Sequence, residues 1–264
     1  MIQSLTQVLR NEMVAPNYGR IALACGTPFG RSRPGQFVML GFPGSIEPLL
    51  RRPFSIHRLI VEAGQVSGVE LLYKTVGPAT RRMAALRPGD PVSLMGPLGS
   101  AFRVPPDSRR VYLAGGGVGV APLVFLAERL CDRKRPPEVR LFLGGRSREE
   151  LVCVEEVERL GVPVVLTTDD GSCGEQCLVT HPLETAVRAE PPDLLLACGP
   201  KPMLACVQGI ARTHGVACQL SIETMMACGM GACLGCAVPG RKDPSRFLHA
   251  CLDGPVFEAG EIEL

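Results

Sequence analysis

Four of the chain's twelve cysteines crowd near its C-terminal end. Cys228, Cys233 and Cys236 form a C-x4-C-x2-C run, and Cys251 follows after fourteen intervening residues. Plant-type [2Fe–2S] ferredoxins space their ligands in this way. Each iron takes two thiolates, and a tight loop must place three sulfurs around a flat cluster. Gly229, Gly231 and Gly235 let the backbone turn sharply and bring N–H groups towards sulfur. Two readings compete with a cluster: four buried thiols, or a structural zinc. Zinc sites favour two C-x2–4-C knuckles, and the second is missing. A Rieske centre needs two histidines, and only His249 lies nearby.

A second group of motifs suits phosphate. Arg51-Arg52-Pro53-Phe54-Ser55 offers a cation for a pyrophosphate, a hydroxyl for the polar edge of a flavin, and a proline that holds an extended backbone. Alone it also reads as a solvated arginine pair flanking a strand. Downstream, Gly77-Pro78-Ala79-Thr80 opens a short helix with Thr80 as the expected N-cap. A helix N-terminus favours anions because its first N–H groups are unpaired. Gly115-Gly116-Gly117-Val118-Gly119-Val120-Ala121-Pro122 joins a strand to a helix, where glycines admit a phosphate or simply permit close packing. Thr168-Asp169-Asp170-Gly171-Ser172 and Cys198-Gly199-Pro200-Lys201-Pro202-Met203 follow two further strand ends. Open α/β sheets bind ligands at the carboxyl ends of their strands.

The elements that must hold these motifs divide the chain. From Arg20 to Gly96, short strands are expected at 21–25, 36–40, 54–59, 69–73 and 91–94, with one helix at 80–86. Proline–glycine turns punctuate them, as in a small antiparallel barrel. After Pro105-Pro106, apolar runs at 111–114, 139–143, 162–167 and 194–198 alternate with helices at 121–131, 148–160, 182–189 and 202–214. That alternation predicts βαβ units and a parallel sheet. A last strand at 218–222 leads out of it. Beyond Glu223 periodicity is weak, so something other than an apolar core is expected to order the tail.

Composition excludes other classes. Hydrophobic residues make up 46% of 264 residues and net charge is only +2, which excludes bulk disorder and a basic nucleic-acid footprint. With no tryptophan and three tyrosines, stacking platforms for single strands are not expected. No apolar run reaches the ~18 residues of a membrane span. Residues 1–12 lack an apolar signal region, which predicts a cytoplasmic chain whose scattered cysteines stay reduced.

Taken in order, R-P-F-S, G-P-A-T, G-G-G-V-G-V-A-P, T-D-D-G-S, C-G-P-K-P-M and the cysteine run resemble the ferredoxin–NADP reductase superfamily. The cysteines narrow the resemblance to the electron-transfer subunits of class 1B, NAD-linked dihydroorotate dehydrogenases. The resemblance implies an antiparallel flavin-binding barrel over residues 1–104, a parallel-sheet α/β nucleotide-binding domain over 105–217, and a small [2Fe–2S] domain over 218–264. It implies FAD at Arg52, Pro53, Phe54 and Ser55, at Leu72, Tyr73 and Lys74, and at Ala79 and Thr80. It implies NAD at Gly116, Gly117, Val118, Gly119 and on to Ala121, at Asp170, and at Cys198, Gly199 and Pro200. The cluster ligands would be Cys228, Cys233, Cys236 and Cys251. Ala79 stands where the family usually has glycine, and so does Cys177.

Nicotinamide moves two electrons as hydride, a [2Fe–2S] cluster moves one, and a flavin placed between them exchanges both. No base is poised for a carbon acid. The resemblance therefore implies an FMN-bearing catalytic partner that oxidises dihydroorotate in pyrimidine biosynthesis, joined in a heterotetramer with two copies of each subunit. Rival readings are the electron-transfer subunit of another complex, such as a sulfhydrogenase, and a zinc-stabilised nucleotide-binding module.

Overall fold

A computed structural model describes residues 2–44, 46–241, 243 and 245–264. Met1, the first residue of the expected barrel segment, lies outside them. Six strands close the barrel: β1 (Ile2–Ala15), β2 (Tyr18–Ala24), β3 (Phe37–Gly41), β4 (Arg52–Glu62), β5 (Gln65–Lys74) and β6 (Pro91–Leu98), in the order β1-β2-β5-β4-β3-β6. Its interior is filled by inward aliphatics such as Ile21, Leu23, Leu40, Ile56, Leu71 and Leu94, each at most 1% exposed. Ala79 and Met83 of helix α1 (Pro78–Ala84) pack into the barrel core.

Strand β1 has no counterpart in the sequence reading. Its pattern hides the strand: Leu5 and Met13 are exposed, and Val8 alone is buried. Pairing makes the strand. Residues 2–7 bond to β6, and the second half bonds to β2 across two register shifts.

The second sheet has the order β14-β11-β10-β7-β8-β9. It contains β7 (Arg110–Gly116), β8 (Glu138–Gly145), β9 (Val164–Thr168), β10 (Leu194–Cys198) and β11 (Ala217–Ser221), all parallel, with helices α2 (Ala121–Cys131), α3 (Val154–Arg159), α4 (Thr180–Ala189) and α5 (Lys201–His214) between them. Leu123, Val124 and Leu130 of α2 pack on one face against Val111, Leu113 and Leu141. Leu183, Leu204 and Val207 of α4 and α5 cover the other. Gly215, at φ +66°, ends α5 in the left-handed region where glycine is least strained.

Two expectations change. A single helix over 148–160 is replaced by a short turn at 148–150 and α3, broken at Cys153, whose φ is +67°. The tail is ordered by an apolar core after all. A hairpin of β12 (Ala237–Pro239) and β13 (Phe247–His249) leads to β14 (Val256–Glu258), which bonds antiparallel to β11. Cys236, Val238, Cys251 and Phe257 join Met39 and Met95 of the barrel and Leu220 of the sheet in one core. Because β11 is a strand of the nucleotide sheet, the expected division at 217/218 falls inside it.

Candidate functional site

The strand order reverses between β7 and β10, and the carboxyl ends of these neighbours open a crevice. The glycine loop after β7 lies hard against the end of β10. A Cβ on Gly119 would come within 2.4 Å of the Cys198 carbonyl oxygen, and one on Gly116 within 2.6 Å of Pro200 Cδ. These glycines are therefore required by packing as well as by ligand approach.

The barrel closes the other side and leaves a cleft of about 730 Å³. It brings together most of the expected flavin and nucleotide residues: Pro53, Phe54 and Ser55; Leu72, Tyr73, Lys74 and Thr80; Gly116, Gly117, Val118 and Gly119; Cys198, Gly199 and Pro200. Three do not line it. The Arg52 guanidinium donates to the carbonyls of Leu50 and Arg51. Ala79 is buried in α1. The Asp170 carboxylate accepts from the Ser172 N–H at 2.9 Å and its hydroxyl at 2.6 Å, and Asp169 faces the cleft instead. Thr80 is not an N-cap. Gly77 holds that place, and the Thr80 hydroxyl, at the third helical position, accepts from the N–H groups of Val76 and Gly77.

Sequence reasoning missed an ion group at the cleft mouth. Lys74 of β5 lies 2.6 Å from Glu150 of the nucleotide domain and over the Tyr18 ring. Arg146 reaches the same carboxylate at 2.7 Å. Burial opposes charge on Glu150, but bonds from Arg146 and Lys74 hold its pKa down at about 2. The sequence placed Glu150 inside a helix, so no signal pointed across the cleft. The Tyr18 and Thr224 hydroxyls are buried without partners on the cleft wall. Such orphaned groups fit a polar ligand, and the apolar floor of Phe37, Phe54 and Met226 fits a flat ring. Cys198 sits at the same wall, its thiol pushed up to about 12 by burial despite a bond with Ser221.

The tail cysteines form two close pairs, Cys228 with Cys233 and Cys236 with Cys251. Cys236 and Cys251 sulfurs are 3.3 Å apart. The Cys228 sulfur accepts from the N–H groups of Met230 and Cys233, both at 3.4 Å. The Met230 N–H is the main reason the Cys228 thiol is lowered to about 6, whereas burial pushes Cys251 up to about 12. Gly229 and Gly231 have φ of +72° and +83°, and a Cβ on Gly231 would strike Leu252 at 2.4 Å. Four thiols, backbone N–H groups aimed at sulfur and a glycine cradle fit a [2Fe–2S] cluster. Met226 lines the cleft two residues before Cys228, so the cleft and the cysteine loop adjoin.

Comparison with known proteins agrees. Residues 223–263 match the iron–sulfur cluster binding domain of dihydroorotate dehydrogenase B, and 113–209 match the oxidoreductase NAD-binding domain. The chain is 38% identical to a dihydroorotate dehydrogenase B (NAD(+)) electron transfer subunit of Caldanaerobacter subterraneus subsp. tengcongensis, over 88% of this chain and 87% of that one. It is 35% identical to the protein of the same name in Desulforamulus reducens, covering 97% and 96%. An NADH-dependent reduced ferredoxin–NADP oxidoreductase structure, solved in work on flavin-based electron bifurcation, superposes with TM-score 0.85 at 26% identity, over 98% of this chain and 90% of that one. A ferredoxin–NADP+ reductase from Neisseria gonorrhoeae, at 18% identity and TM-score 0.66 over 81% and 92%, shares the fold.

Proposed function

Because the chain belongs to the family of dihydroorotate dehydrogenase B electron-transfer subunits, we infer that it carries electrons between a partner that oxidises dihydroorotate and NAD. The observation that carries this reading is the adjacency of cleft and cysteine loop through Met226. FAD, when bound, exchanges a hydride with nicotinamide and single electrons with an iron–sulfur cluster. The chain's own residues bind and orient. Phe54, Ser55 and Thr80, with Leu72–Lys74, would hold flavin on the barrel side. Gly116–Gly119 and Cys198–Pro200 would hold nicotinamide nucleotide on the sheet side. Cys228, Cys233, Cys236 and Cys251 would ligate the cluster. Phe37, Phe54 and Met226 would exclude water from the cleft where the two ligands bind.

The catalytic base for dihydroorotate belongs to the partner, which would carry FMN and join two copies of this chain in a heterotetramer. Met230 and Leu234, 42% and 56% exposed on the cysteine loop, suit that contact. No helix of the described residues is long and apolar enough to cross a membrane, and a cytoplasmic location accords with pyrimidine biosynthesis. The relatives favour neither a sulfhydrogenase-type partner nor a zinc-stabilised module. Reconstitution tests the reading. The isolated chain, loaded with FAD and cluster, should reduce dyes with NADH and leave dihydroorotate untouched. Adding the catalytic subunit should restore NAD-linked oxidation. Dihydroorotate oxidation by the isolated chain would refute the assignment.

A further inference from the structure

The seam between barrel and nucleotide sheet also carries a cluster of charged side chains outside the cleft, closed over a buried centre. His57 of β4, fully buried, stands at its centre. Its Nδ1 lies 3.1 Å from the carbonyl oxygen of Ala121, the first residue of α2. A carbonyl only accepts, so Nδ1 carries a proton. Nε2 has no aligned hydrogen bond, but its neighbours are two carboxylates, Glu156 Oε2 at 3.5 Å and Glu70 Oε1 at 3.9 Å. A neutral ring would turn a lone pair towards both, so the arrangement fits the imidazolium. Burial opposes the charge, yet Cys153 and Glu156 outweigh it and lift the pKa to about 9.

Every element packed around the ring contributes charge. Arg10 and Glu12 come from β1, Arg20 from β2, Arg58 from β4, Glu70 from β5 and Glu128 from α2. Glu156 comes from α3, with Cys153 just before it. Arg20 contacts Glu156 and lies 3.6 Å from Glu70. Arg58 reaches Glu128 at 2.6 Å, Glu156 at 3.0 Å and Glu70 at 3.7 Å. Arg10 pairs with Glu70 at 2.7 Å and Glu12 at 3.7 Å. The ligand atoms of His57, Cys153 and Glu156 lie within 4.8 Å of one another, as a metal site would need. Two guanidiniums already hold Glu156, however, and Arg20 stands 4.0 Å from the Cys153 sulfur. A divalent cation would be repelled there.

The single bond from His57 joins the two halves of the cleft. His57 lies two residues beyond Ser55, which lines the cleft on the barrel side. Ala121 lies two residues beyond Gly119, which lines it on the sheet side. We propose that protonated His57 is a positioning residue that fixes the glycine loop against the flavin-side strand and so sets the nicotinamide-to-flavin approach. The proposal rests on the cleft being the shared flavin and nucleotide site. The exchange it serves moves one hydride between nicotinamide C4 and flavin: FADH− and NAD+ give FAD and NADH in the proposed function, and the assay with NADH runs the same step in reverse. Because the folded pKa is raised above 6.5, the stabilisation is full below that value and is lost as pH rises through about 9.

The test uses the full chain loaded with FAD and cluster. His57→Gln keeps an N–H able to reach Ala121 but removes the charge. Flavin content should hold, while the rate constant for flavin reduction at saturating NADH falls at least about tenfold, since misplacement by ~1 Å can cost ~100-fold. The wild-type rate should decline above about pH 9, and the variant's should not. Without nucleotide, amide exchange across residues 119–127 at pH 7 should be faster in the variant. If His57→Gln does not retain flavin, Glu156→Gln decides, because removing the carboxylate beside His57 must move the alkaline decline to lower pH. A wild-type rate with unchanged exchange in His57→Gln, or an unmoved decline in Glu156→Gln, overturns the proposal. A wild-type chain that binds no FAD or is not reduced by NADH would instead refute the reading of the cleft.

Discussion

The two places where reactive side chains crowd together are built in opposite ways. The cysteine loop draws three of its four thiols from nine consecutive residues, 228–236. Its backbone bends to suit them, with Gly229, Gly231 and even Leu234 at positive φ. The ion group around His57 takes its members from β1, β2, β4, β5, α2 and α3. The side chains there reach across the seam, where the pairing of β4 with β5 shifts register between Ile56 and Arg58 and Cys153 stands at φ +67°. One site is therefore held by local chain geometry and a bound group, the other by the docking of two domains. Loss of one ligand should empty the first while the domains stay folded. Loss of one charge in the second should loosen the domains and leave the first intact.

The largest effect should come from Cys233→Ser. The variant should lose nearly all its iron and its visible cluster absorbance while flavin on the barrel survives. Full iron occupancy would break the ligand assignment. Next comes Glu70→Gln. Glu70 is 2% exposed and faces Arg10, Arg20 and Arg58. Breaking such a buried pairing costs about 3–5 kcal/mol, which denaturant unfolding should read as a lowered midpoint with iron per chain unchanged. Iron loss on the same scale as in Cys233→Ser would erase the contrast between the two sites.

Smaller effects sharpen the contrast. Leu234→Asp places charge on the exposed rim of the cysteine loop. It should weaken assembly with the catalytic subunit at least about tenfold, or ~1.4 kcal/mol, in a sedimentation titration, and spare NADH-to-dye activity. Unchanged assembly would remove this rim from the interface. NADH should be preferred over NADPH by about tenfold or more in dye reduction. Arg146 is held by Glu150, Arg148 donates to Ser172, and Asp169 faces the cleft, so no unpaired cation among these awaits a 2′-phosphate. Equal turnover with NADPH would show that one of those pairs opens on binding. The smallest effect should come from Cys153→Ser, which lies in the ion group and away from the loop. Iron content should stay at the wild-type level.

What could be read from the amino-acid order was what lies close together along it. The cysteine spacing, the glycine turns at strand ends and the change from short strands to alternating strands and helices are all local. Each depends on loop geometry or on side-chain period within a few residues. The closed barrel and the parallel sheet follow from those signals. Tertiary structure alone decided the rest. Strand β1 carries no alternation because it is held by backbone pairing to β2 and β6. Strand β14 closes the sheet with three residues, too few for any period to register. Nothing in the sequence marks His57, Glu70 or Glu156 as a polar residue that is buried. Glu156 joins the other two only because the nucleotide domain docks on the barrel, with α2 against β4, and burial then makes the charges of His57 and Glu156 depend on their partners.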